Sequence, residues 1–411
     1  MQKFEKYSPV VVTEVTTKHE LRQFMQYPNR LYADNPNYIP SFYGDDLSDW
    51  TPGKNPAFDY CEARCWLAWR DGEIVGRIGA ILSHKANDKF GTHRMRFSQV
   101  DFVDDSEVSA ALFGTVERWA RQKGCDQVHG PLGFTDMDRE GMLVEGFDRR
   151  SLFITNYNAP YYPEHLTRLG YRKDVDWIEY RISVPAPGSA EAERLHKLSE
   201  FILKRKHLHV ATLHHKSEYG PFVRQVFELV NAAYAPLYGV VELSDEQIER
   251  YANKFIPLVD PDFVCFVLDE QDKLVAFGVT TLDPSPALKH SDGRLFPFGW
   301  AEVLNDLHHG DTLIMLLTAV RPDLQTEGIN AVMMDHVCQS CNRHGVQFAE
   351  TGPMLELNDH ILAQWKRLEK EQHKRRRCFI KDLDHGINAA NAAAAAQAEA
   401  PEAAPAAESA E

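Results

Sequence analysis

The stretch from Arg321 to Val337, RPDLQTEGINAVMMDHV, joins two apolar segments through a polar turn that holds one glycine. The preceding TLIMLLTAV predicts a buried strand, and the residues after the turn carry apolar side chains at helical spacing. The first amides of such a helix lack intrahelical partners, and the helix dipole favours an anion beside them. Gly328 lets the backbone approach a ligand closely, and Asn330 can cap the helix. These residues predict either a phosphate-binding turn or an ordinary strand-to-helix connection.

A second group that could do chemistry is the pair Cys338 and Cys341, whose CxxC spacing suits zinc or thiol redox chemistry. No second pair lies near it in the sequence, and it falls within a helical pattern. The seven cysteines are scattered and odd in number, which is typical of reduced thiols. We therefore expect no metal site and no redox role.

The composition limits the class of protein. A chain of 411 residues with 44% hydrophobic and 26% charged residues is typical of a soluble protein with two domains. The net charge of -15 argues against nucleic-acid binding, which needs a basic face. No apolar run is long enough to span a bilayer, and the start MQKFEKYSP lacks the apolar core of a signal peptide. We expect a cytoplasmic protein without a nucleic-acid partner.

The elements around the turn occur twice along the chain. WLAWRDGEIVGRIGAIL and FVCFVLDEQDKLVAFGVTTL both predict a hairpin of two apolar strands. VERWARQKGCDQVHGP and HVCQSCNRHGVQFAETGP both predict a helix, a glycine stop, a short strand and Gly-Pro. A helix and a strand then close each half. The repeat predicts an α/β fold of two similar mixed-sheet lobes, each with its own sheet.

The limits of the two lobes follow from breaks in this pattern. VPAPGSAEAE, from Val184 to Glu193, interrupts it with proline and glycine, so the lobes are expected over residues 1–187 and 188–384. After about His385 the chain becomes NAANAAAAAQAEAPEAAPAAESAE, which has too few large apolar side chains to dock. We expect residues 385–411 to form a disordered tail.

The turn and its surroundings, VRPDLQTEGINAVMM, resemble the acyl-CoA-binding signature of the GNAT acyltransferase superfamily. In that signature a strand ends in Val-x-Pro, and Gln/Arg-x-x-Gly-x-Gly/Ala opens a helix. Gln325 and Gly328 fit the pattern, whereas Asn330 stands where the family has Gly or Ala. The resemblance implies a site for acetyl-CoA or a longer acyl-CoA. Its residues would be Val320, Gln325, Glu327, Gly328, Ile329, Asn330, Ala331 and Asn358.

The later NDHILAQWKRL resembles a second family pattern, Asn-x-x-Ala-x-x-x-Tyr-x-x-Leu. Trp365 replaces the tyrosine that in the family commonly protonates the departing thiolate, so another group or water must serve here. Both halves follow the family's order of elements, and the resemblance covers roughly residues 10–383. The first half has acids in SEVSAALFGTVERW where a pyrophosphate would lie, so only the second half is expected to bind the donor.

A narrower resemblance concerns a bacterial group of tandem GNAT-like proteins. The phrases that carry it are YPNRLYADNPNYIP, KNPAF, GPLGFTDMDREGMLVEGFD and NAPYYPEHLTRLGY. Some relatives in that group are associated with the acylation of sphingoid bases to ceramides. The resemblance implies a sphingoid base as one candidate acceptor.

The family's chemistry implies that an amine attacks the thioester directly. A base removes the amine's proton, and backbone amides stabilise the oxyanion. Glu350, which closes the strand beside the donor strand, is the first candidate base, and Glu356 and His360 follow it. The alternative for Glu350 and Glu356 is capping or ion pairing.

The acceptor is expected between the halves, at the segment Gly130 to Asp148. Long ordered connections of this kind are often functional, and acids that face a cleft would attract a cationic amine. A solvated loop is the alternative. The tyrosines that follow would form either the acceptor wall or part of a core. The candidates are Asp136, Asp138, Glu140, Glu145, Tyr161 and Tyr162.

The run KRRR, Lys374 to Arg377, is conspicuous in an acidic protein. It predicts the solvated start of a strand. Contact with the 3′-phosphate of coenzyme A or with an anionic membrane is the alternative.

The leading hypothesis is an acyl-CoA-dependent N-acyltransferase that acts on a primary amine. With a long-chain acceptor, it would work as a peripheral protein at the inner face of the membrane. Two rivals remain: a peptide or aminoacyl transferase, and a non-catalytic binding protein of degenerate GNAT fold.

Overall fold

The computed structural model describes residues 8–383, so the tail predicted over 385–411 lies outside the described residues. The first half of the chain forms seven strands and five helices within this range. The strands are β1 (Val11–Glu14), β2 (Cys61–Arg70), β3 (Glu73–Ser83), β4 (Arg94–Phe102), β5 (Gln127–Gly130), β6 (Met142–Glu145) and β7 (Arg172–Ser183). The helices are α1 (Lys18–Leu31), α2 (Tyr43–Asp49), α3 (His84–Phe90), α4 (Ser106–Gln122) and α5 (Tyr162–Arg168).

The second half repeats the order of elements with additional helices. Its strands are β8 (His209–Val210), β9 (Val264–Leu268), β10 (Leu274–Leu282), β11 (Thr312–Val320), β12 (Phe348–Thr351), β13 (Met354–Leu355) and β14 (Lys370–Asp382). Its helices are α6 (Ala190–Lys206), α7 (Gly220–Tyr234), α8 (Asp245–Phe255), α9 (Ser285–His290), α10 (Gly299–His309), α11 (Asn330–His344) and α12 (Asp359–Gln364). The α/β fold class and the repeat of elements are confirmed.

The two halves share one sheet of 14 strands, so the expectation of a separate sheet in each lobe is wrong. The strand order is β1-β2-β3-β4-β5-β14-β7-β12-β11-β10-β9-β8, with β6 and β13 attached to β14 and β7. The pairs β4/β5 and β11/β12 are parallel, and the other neighbours are antiparallel. The boundary expected near residue 187 falls between β7 and α6 and stays a prediction.

The sheet is continuous because each half lends its last strand to the other. β14 of the second half pairs with β5 of the first, while β7 of the first half pairs with β12 of the second. The two lent strands also pair with each other, from Lys370 opposite Ile182 to Ile380 opposite Arg172. The centre of the sheet is therefore built from both halves.

Local sequence explains where several of these elements begin and turn. The Asp71-Gly72 turn has φ angles of 53° and 82°, the left-handed pair that closes a tight hairpin. Ser244 begins α8 with a capping box that includes Gln247, as SDEQ predicted. Gly345 ends α11 in the left-handed conformation with φ 73°.

The run KRRR lies in the middle of the central strand β14, and the prediction of a solvated strand start is wrong. Arg376 is 0% exposed, and its Nε donates to Glu179 Oε1 at 2.5 Å. Lys374, also buried, lies 3.2 Å from Glu350. The cations are buried because β7 and β12 bring carboxylates to them, which leaves these two without access to an external phosphate.

Helices cover both faces of the second-half sheet. Helices α6 and α11 pack together on one face, where Ile202 contributes to a core with Val332 and Val320. Helices α7 and α8 cover the other face through a core that includes Phe227 and Phe277. Within residues 8–383, no helix has the length and apolar character needed to cross a bilayer.

The strand exchange predicts that neither half folds alone. Residues 1–187 lack β14 between β5 and β7, so this fragment should not show a cooperative unfolding transition. Coexpressed fragments 1–187 and 188–411 should associate and regain one. Circular dichroism melting and size-exclusion chromatography provide the measurements. A monomeric, cooperatively unfolding 1–187 fragment would contradict the exchange.

Candidate functional site

The strands β11 and β12 separate at the centre of the second-half sheet. They pair from Thr312 with Phe348 to Met315 with Thr351, where β12 ends, while β11 continues to Val320. At the same point β11 bulges, because Met315 pairs with Thr280 and Leu317 pairs with Val279. In these registers Leu316 has no opposite residue on β10 or β12. The separation leaves a wedge-shaped gap between the two strands, referred to as the wedge below, and main-chain groups of β11 lie along its edge.

An apolar cleft occupies this wedge and is referred to as the apolar cleft below. Leu316 to Thr318 form one wall, and Thr351 to Met354 form the other. Helices α11 and α12 close it from one face with side chains that include Met334 and Trp365. Methionines occur on both helix and strand walls, which gives the lining an adaptable, polarisable surface.

The polar turn lies where β11 leads into α11, at one end of the apolar cleft. Gly328 has φ 80°, and a Cβ there would lie 3.1 Å from Ile202 Cδ1 of α6. The helix begins at Asn330 itself, and its N-cap Ile329 makes no side-chain cap. The prediction that Asn330 caps the helix is therefore wrong, and Asn330 lines the apolar cleft instead.

The charge of Glu327 in the turn is matched by a neighbouring helix. Lys206 Nζ lies 2.5 Å from Glu327 Oε2. The hydrogen bond and the charge of Lys206 hold the pKa of Glu327 below its ordinary value. A carboxylate paired in this way repels an anion at the turn less than a free one would. Gln325 Nε2 donates to the carbonyl of Val320 at 3.3 Å, which ties the turn to the strand end.

Asn358 and Trp365 organise the helix that closes the cleft. The side chain of Asn358 caps α12 by accepting from the amide of Ile361 at 3.2 Å. Trp365 is buried, and its indole N–H lies 3.2 Å from the sulfur of Met354. Both residues support the cleft wall in this arrangement.

Glu350 lies on the face of β12 opposite Ala349 and Thr351, which line the apolar cleft. Lys374 Nζ is 3.2 Å from Glu350 Oε2, and His373 Nε2 is 3.6 Å from the same oxygen. Burial raises the pKa of Glu350 above its ordinary value, although Lys374 opposes the shift. A carboxylate with a raised pKa is a stronger base than an ordinary one.

The other two candidate bases lie elsewhere. Glu356 accepts from Arg375 at 3.1 Å and lies 2.5 Å from Lys173, so ion pairing, the alternative considered for it, describes its position. His360 is exposed on α12. The structure does not bring either residue beside Glu350.

A second, acidic cleft lies between the halves and is referred to as the acidic cleft below. Helix α2 contributes its three aspartates, the segment after β5 contributes Asp138 and Arg139, and α8 contributes Lys254. Lys254 lies 3.5 Å from both Asp45 and Asp49. With four carboxylates and two cations the cleft carries formal excess negative charge, which suits a cationic ligand.

Apolar side chains connect the linings of the two clefts. Ile154 lines the acidic cleft, and its Cδ1 would lie 3.7 Å from a Cβ on Gly352 of the apolar cleft. Met137 lines the acidic cleft and packs against the same core as Leu316. A ligand that displaced these side chains would bridge both clefts.

The acidic segment holds carboxylates with perturbed acidity. Burial raises the pKa of Asp136 to about 6. Burial and the charge of Asp49 raise the pKa of Asp138 to about 6, even though Asp138 accepts from the amide of Phe134 at 2.7 Å. Burial and the charge of Asp136 raise the pKa of Glu140 well above its ordinary value. Of the four predicted acids, Asp138 lines the acidic cleft.

Three predicted acceptor residues lie away from this cleft, and those predictions are corrected. Glu145 ends β6 and lies 3.3 Å from Arg375, because β6 pairs with β14. Tyr162 is fully buried in the first-half core, where its hydroxyl accepts from the amide of Phe102 at 2.7 Å. Tyr161 donates to the carbonyl of Phe102 at 2.5 Å. Tyr162 packs in the core, which was the alternative, while half-buried Tyr161 packs against that core and lines a separate open cavity.

Sequence reasoning missed the acids of α2 and one hydroxyl. The pattern DDLSD places Asp45, Asp46 and Asp49 within one helical turn, a signal that could have suggested a shared face. Tyr234 at the end of α7 lines the apolar cleft and donates to the carbonyl of Thr318 at 2.8 Å. Burial raises its pKa to about 12.

The corresponding place in the first half holds a polar cavity, which Arg77, Gln99 and Asp101 line. Arg77 and Asp101 form a buried ion pair at 2.7 Å beside β4. Gln99, with φ 44°, forms the β4 bulge there and accepts from Arg77 at 3.0 Å. A buried ion pair in this position leaves no apolar channel comparable to the one in the second half.

Among residues 8–383, potential metal ligands meet at one place. His129, Asp174 and Cys378 lie close together between the halves. The hydroxyl of Tyr238 donates to Asp174 at 2.5 Å and lies 3.0 Å from His129 Nδ1 and 3.5 Å from Cys378 Sγ. Because this hydroxyl lies among the three ligand atoms, the cluster is a satisfied hydrogen-bond network. Cys338 and Cys341 are free, buried thiols.

Comparisons with known proteins agree with this architecture. No family model matches the chain. The chain is 27% identical to Protein YghO of Escherichia coli (strain K12) over 383 residues, which covers 91% of this chain and 95% of that protein. It is 28% identical to a bacterial ceramide synthase of Caulobacter vibrioides (strain NA1000 / CB15N) over 299 residues, which covers 71% and 75%.

A solved structure shows the same fold at lower identity. It is a tandem GNAT protein from the clavulanic acid biosynthesis pathway, solved without AcCoA. The match covers 91% of this chain and 99% of that chain, at 13% identity and a TM-score of 0.52. At this identity the likeness shows the fold, and function has to be argued from the site.

The raised pKa of Asp136 predicts a pH-dependent stability difference. The folded state binds the proton of Asp136 more tightly than the unfolded state, so this group destabilises the fold as the pH rises from about 4 to about 6. Asp136→Asn should remove that loss. Relative to the parent, the free energy of unfolding of the variant should be about 1–2 kcal/mol higher at pH 7.5 than at pH 4. Urea denaturation at both pH values measures it. If the stability difference between the variant and the parent is the same at both pH values, Asp136 lies in solvent.

Proposed function

This chain is a tandem protein of the GNAT fold, and on that premise we propose that it is an acyl-CoA-dependent N-acyltransferase acting on a primary amine. The observation that carries the proposal is the wedge between β11 and β12, with an apolar cleft inside it and a glycine turn at its end. An acyl-CoA has parts that match these features. Its thioester fits the wedge, its long and mostly apolar arm fits the apolar cleft, and the phosphates at its far end fit the glycine turn.

The donor would lie along the second half. Its pyrophosphate would meet the turn at Gly328 and the N-terminus of α11, a helix of 15 residues. The pantetheine arm would follow the free edge of β11 into the apolar cleft. The amide N–H of Leu316, which the bulge displaces from both neighbouring ladders, would donate a hydrogen bond to the developing oxyanion of the thioester carbonyl. The donor is acetyl-CoA or a longer acyl-CoA.

The acceptor would enter from the acidic cleft as an ammonium ion. Asp138 and the aspartates of α2 would hold it by charge-assisted hydrogen bonds. Displacement of Ile154 and Met137 would open the short path to the thioester. Asp136 and Glu140, on the same segment, would keep the approach acidic.

The transfer would proceed by direct attack. Glu350, which lies on the other face of β12 and would be reached through water, first takes one proton from the ammonium. The free amine nitrogen then bonds to the thioester carbon, the carbon–sulfur bond breaks to release the coenzyme A thiolate, and the second nitrogen proton passes to solvent. The indole of Trp365 supplies no acidic proton. Among the described residues that line the apolar cleft, Tyr234 is the one phenol, and it is the candidate to protonate the thiolate.

The proposed acceptor is a long-chain amine of the sphingoid-base type. Its support is the relative named bacterial ceramide synthase, together with a cleft that places carboxylates beside Phe153 and Phe255. We place such an enzyme in the cytoplasm, at the inner face of the membrane. Trp365 in the tyrosine position favours one rival, a non-catalytic protein that binds coenzyme A without turnover.

The donor site predicts a specific effect of a charge at the turn. Gly328→Asp adds a negative charge to the turn and a side chain that must displace Ile202, so coenzyme A affinity should fall at least about tenfold. Isothermal titration calorimetry measures the affinity. Gly345→Asp is the matched control, since Gly345 has the same left-handed conformation at the other end of α11 and open space around it. If both variants lose coenzyme A affinity equally, the donor does not bind at the turn.

The proposed roles of Glu350 and Asp138 predict different kinetic changes. Glu350→Gln should lower kcat by about 100-fold or more, because the base is lost, while the KM values change little. Asp138→Asn should raise the KM for the amine more than the KM for the acyl-CoA. The assay follows thiol release with acyl-CoA and a panel of amines from amino acids and polyamines to sphingoid bases.

The kinetic control is Glu164→Gln, which changes an exposed carboxylate on α5. It should behave like the parent. If Glu350→Gln and Asp138→Asn also behave like the parent, the base and the acceptor site are assigned wrongly. Binding of coenzyme A with no thiol release for any amine would favour the non-catalytic rival.

A further inference from the structure

The connection between α9 and α10 exposes an unusual group of apolar side chains. Phe296 is 81% exposed, Phe298 is 76% exposed and Trp300 is 48% exposed. Leu304, one turn further along α10, is 41% exposed. Residues 295–304 are referred to as the aromatic loop below. Water-exposed aromatic rings so close together in sequence are costly unless something covers them.

The backbone of the aromatic loop and of the turn before it is fixed. Gly293 packs against the carbonyl of Ser41 with no room for a Cβ, and its own carbonyl accepts from the amide of Tyr43 at 3.0 Å. Within the loop, the amide of Trp300 donates to Leu295 at 2.8 Å. The indole N–H of Trp300 donates to the carbonyl of Pro297 at 3.1 Å. The rings are therefore held outward by a defined scaffold.

We propose that the aromatic loop inserts into the surface of a phospholipid bilayer. Phenylalanine and tryptophan on one exposed segment are the side chains that enter the interfacial region of membranes. Because the backbone is already ordered, insertion costs little conformational entropy. This surface is independent of the proposed acyl transfer and is tested without substrates.

The size of the exposed surface favours a bilayer over a second copy of the chain. From their exposed fractions, the four large side chains present roughly 500 Å² of apolar surface. A stable protein interface buries about 800 Å² on each partner. Insertion of a few aromatic rings into lipid has no such minimum, since each ring gains by its own burial.

The charges around the loop favour insertion driven by apolar contact. Lys289 and Arg294 lie near Asp292 and Glu302 in the sequence, so the segment has no cationic excess. The whole chain carries a formal net charge of -15. Attraction to anionic headgroups would therefore contribute little, and binding should depend weakly on salt and on lipid charge.

The helices that flank the aromatic loop share a core with one wall of the acidic cleft. Leu288 of α9 and Val303 of α10 belong to the same core as Phe153. Phe153 lines the acidic cleft, so the aromatic loop lies on the helices that back that cleft.

Vesicle flotation of the full chain tests the proposal. The probes are phosphatidylcholine vesicles and vesicles with added phosphatidylglycerol, both without acyl-CoA or amine. The parent should float with both, and the double variant Phe296→Ser/Phe298→Ser should bind at least about tenfold more weakly. Phe201→Ser is the matched control, because Phe201 on α6 is 57% exposed and lies outside the loop. It should bind like the parent.

Further measurements separate the outcomes. Thermal melting should show that all variants stay folded, since the substituted rings are exposed. Brominated lipids should quench the fluorescence of the parent more than that of Trp300→Phe. Failure of the parent to float, or equal binding by the double variant, overturns the proposal. A dimer that only the double variant loses, with no flotation, would assign the loop to a second copy of the chain.

Discussion

The buried ion pair between Arg376 and Glu179 holds together the centre on which the other elements depend. Both side chains are 0% exposed, and each comes from a strand that one half lends to the other. Breaking such a pair from one side leaves a buried charge, which typically costs about 3–5 kcal/mol. Arg376 also donates to the carbonyl of Asn156, so the pair fixes the loop that follows the acidic segment. The same contact thus joins the two halves and orients the wall between the two clefts.

The strand exchange explains why the site needs both halves. It brings the segment after β5 against α8, where Tyr251 contacts Thr135 at 2.7 Å. It also places Lys374 of β14 beside Glu350 of β12, across β7. A second half without the first would lack β7, whose Ile182 lines the apolar cleft, and would also lack one side of the acidic cleft. In the first half, the ion pair of Arg77 with Asp101 lines a polar cavity at the corresponding place.

The features that could be predicted from the sequence are those that a few adjacent residues encode. The Asp71-Gly72 hairpin, the glycine end of α11 and the turn at Gly328 need only local backbone conformations. The exchange was not accessible, because it pairs Phe379 with Gly130 and depends on no local signal. The run KRRR looked solvated for the same reason, since the acid that matches Arg376 lies 197 residues earlier in the chain. The acceptor tyrosines were misplaced because an aromatic pair fits a core and a cleft wall equally well.

The position of β14 between β5 and β7 affects how the sheet can assemble during synthesis of the chain. β5 and β7 leave the ribosome long before β14, which is among the last described segments to be synthesised. At about 5–20 residues per second, β5 and β7 wait roughly 10–50 s for the strand that belongs between them. During that interval both have free edges that could pair with another nascent chain. Charged side chains along β7, such as Asp176 and Glu179, disfavour such pairing before β14 is synthesised. They then form ion pairs with Arg377 and Arg376.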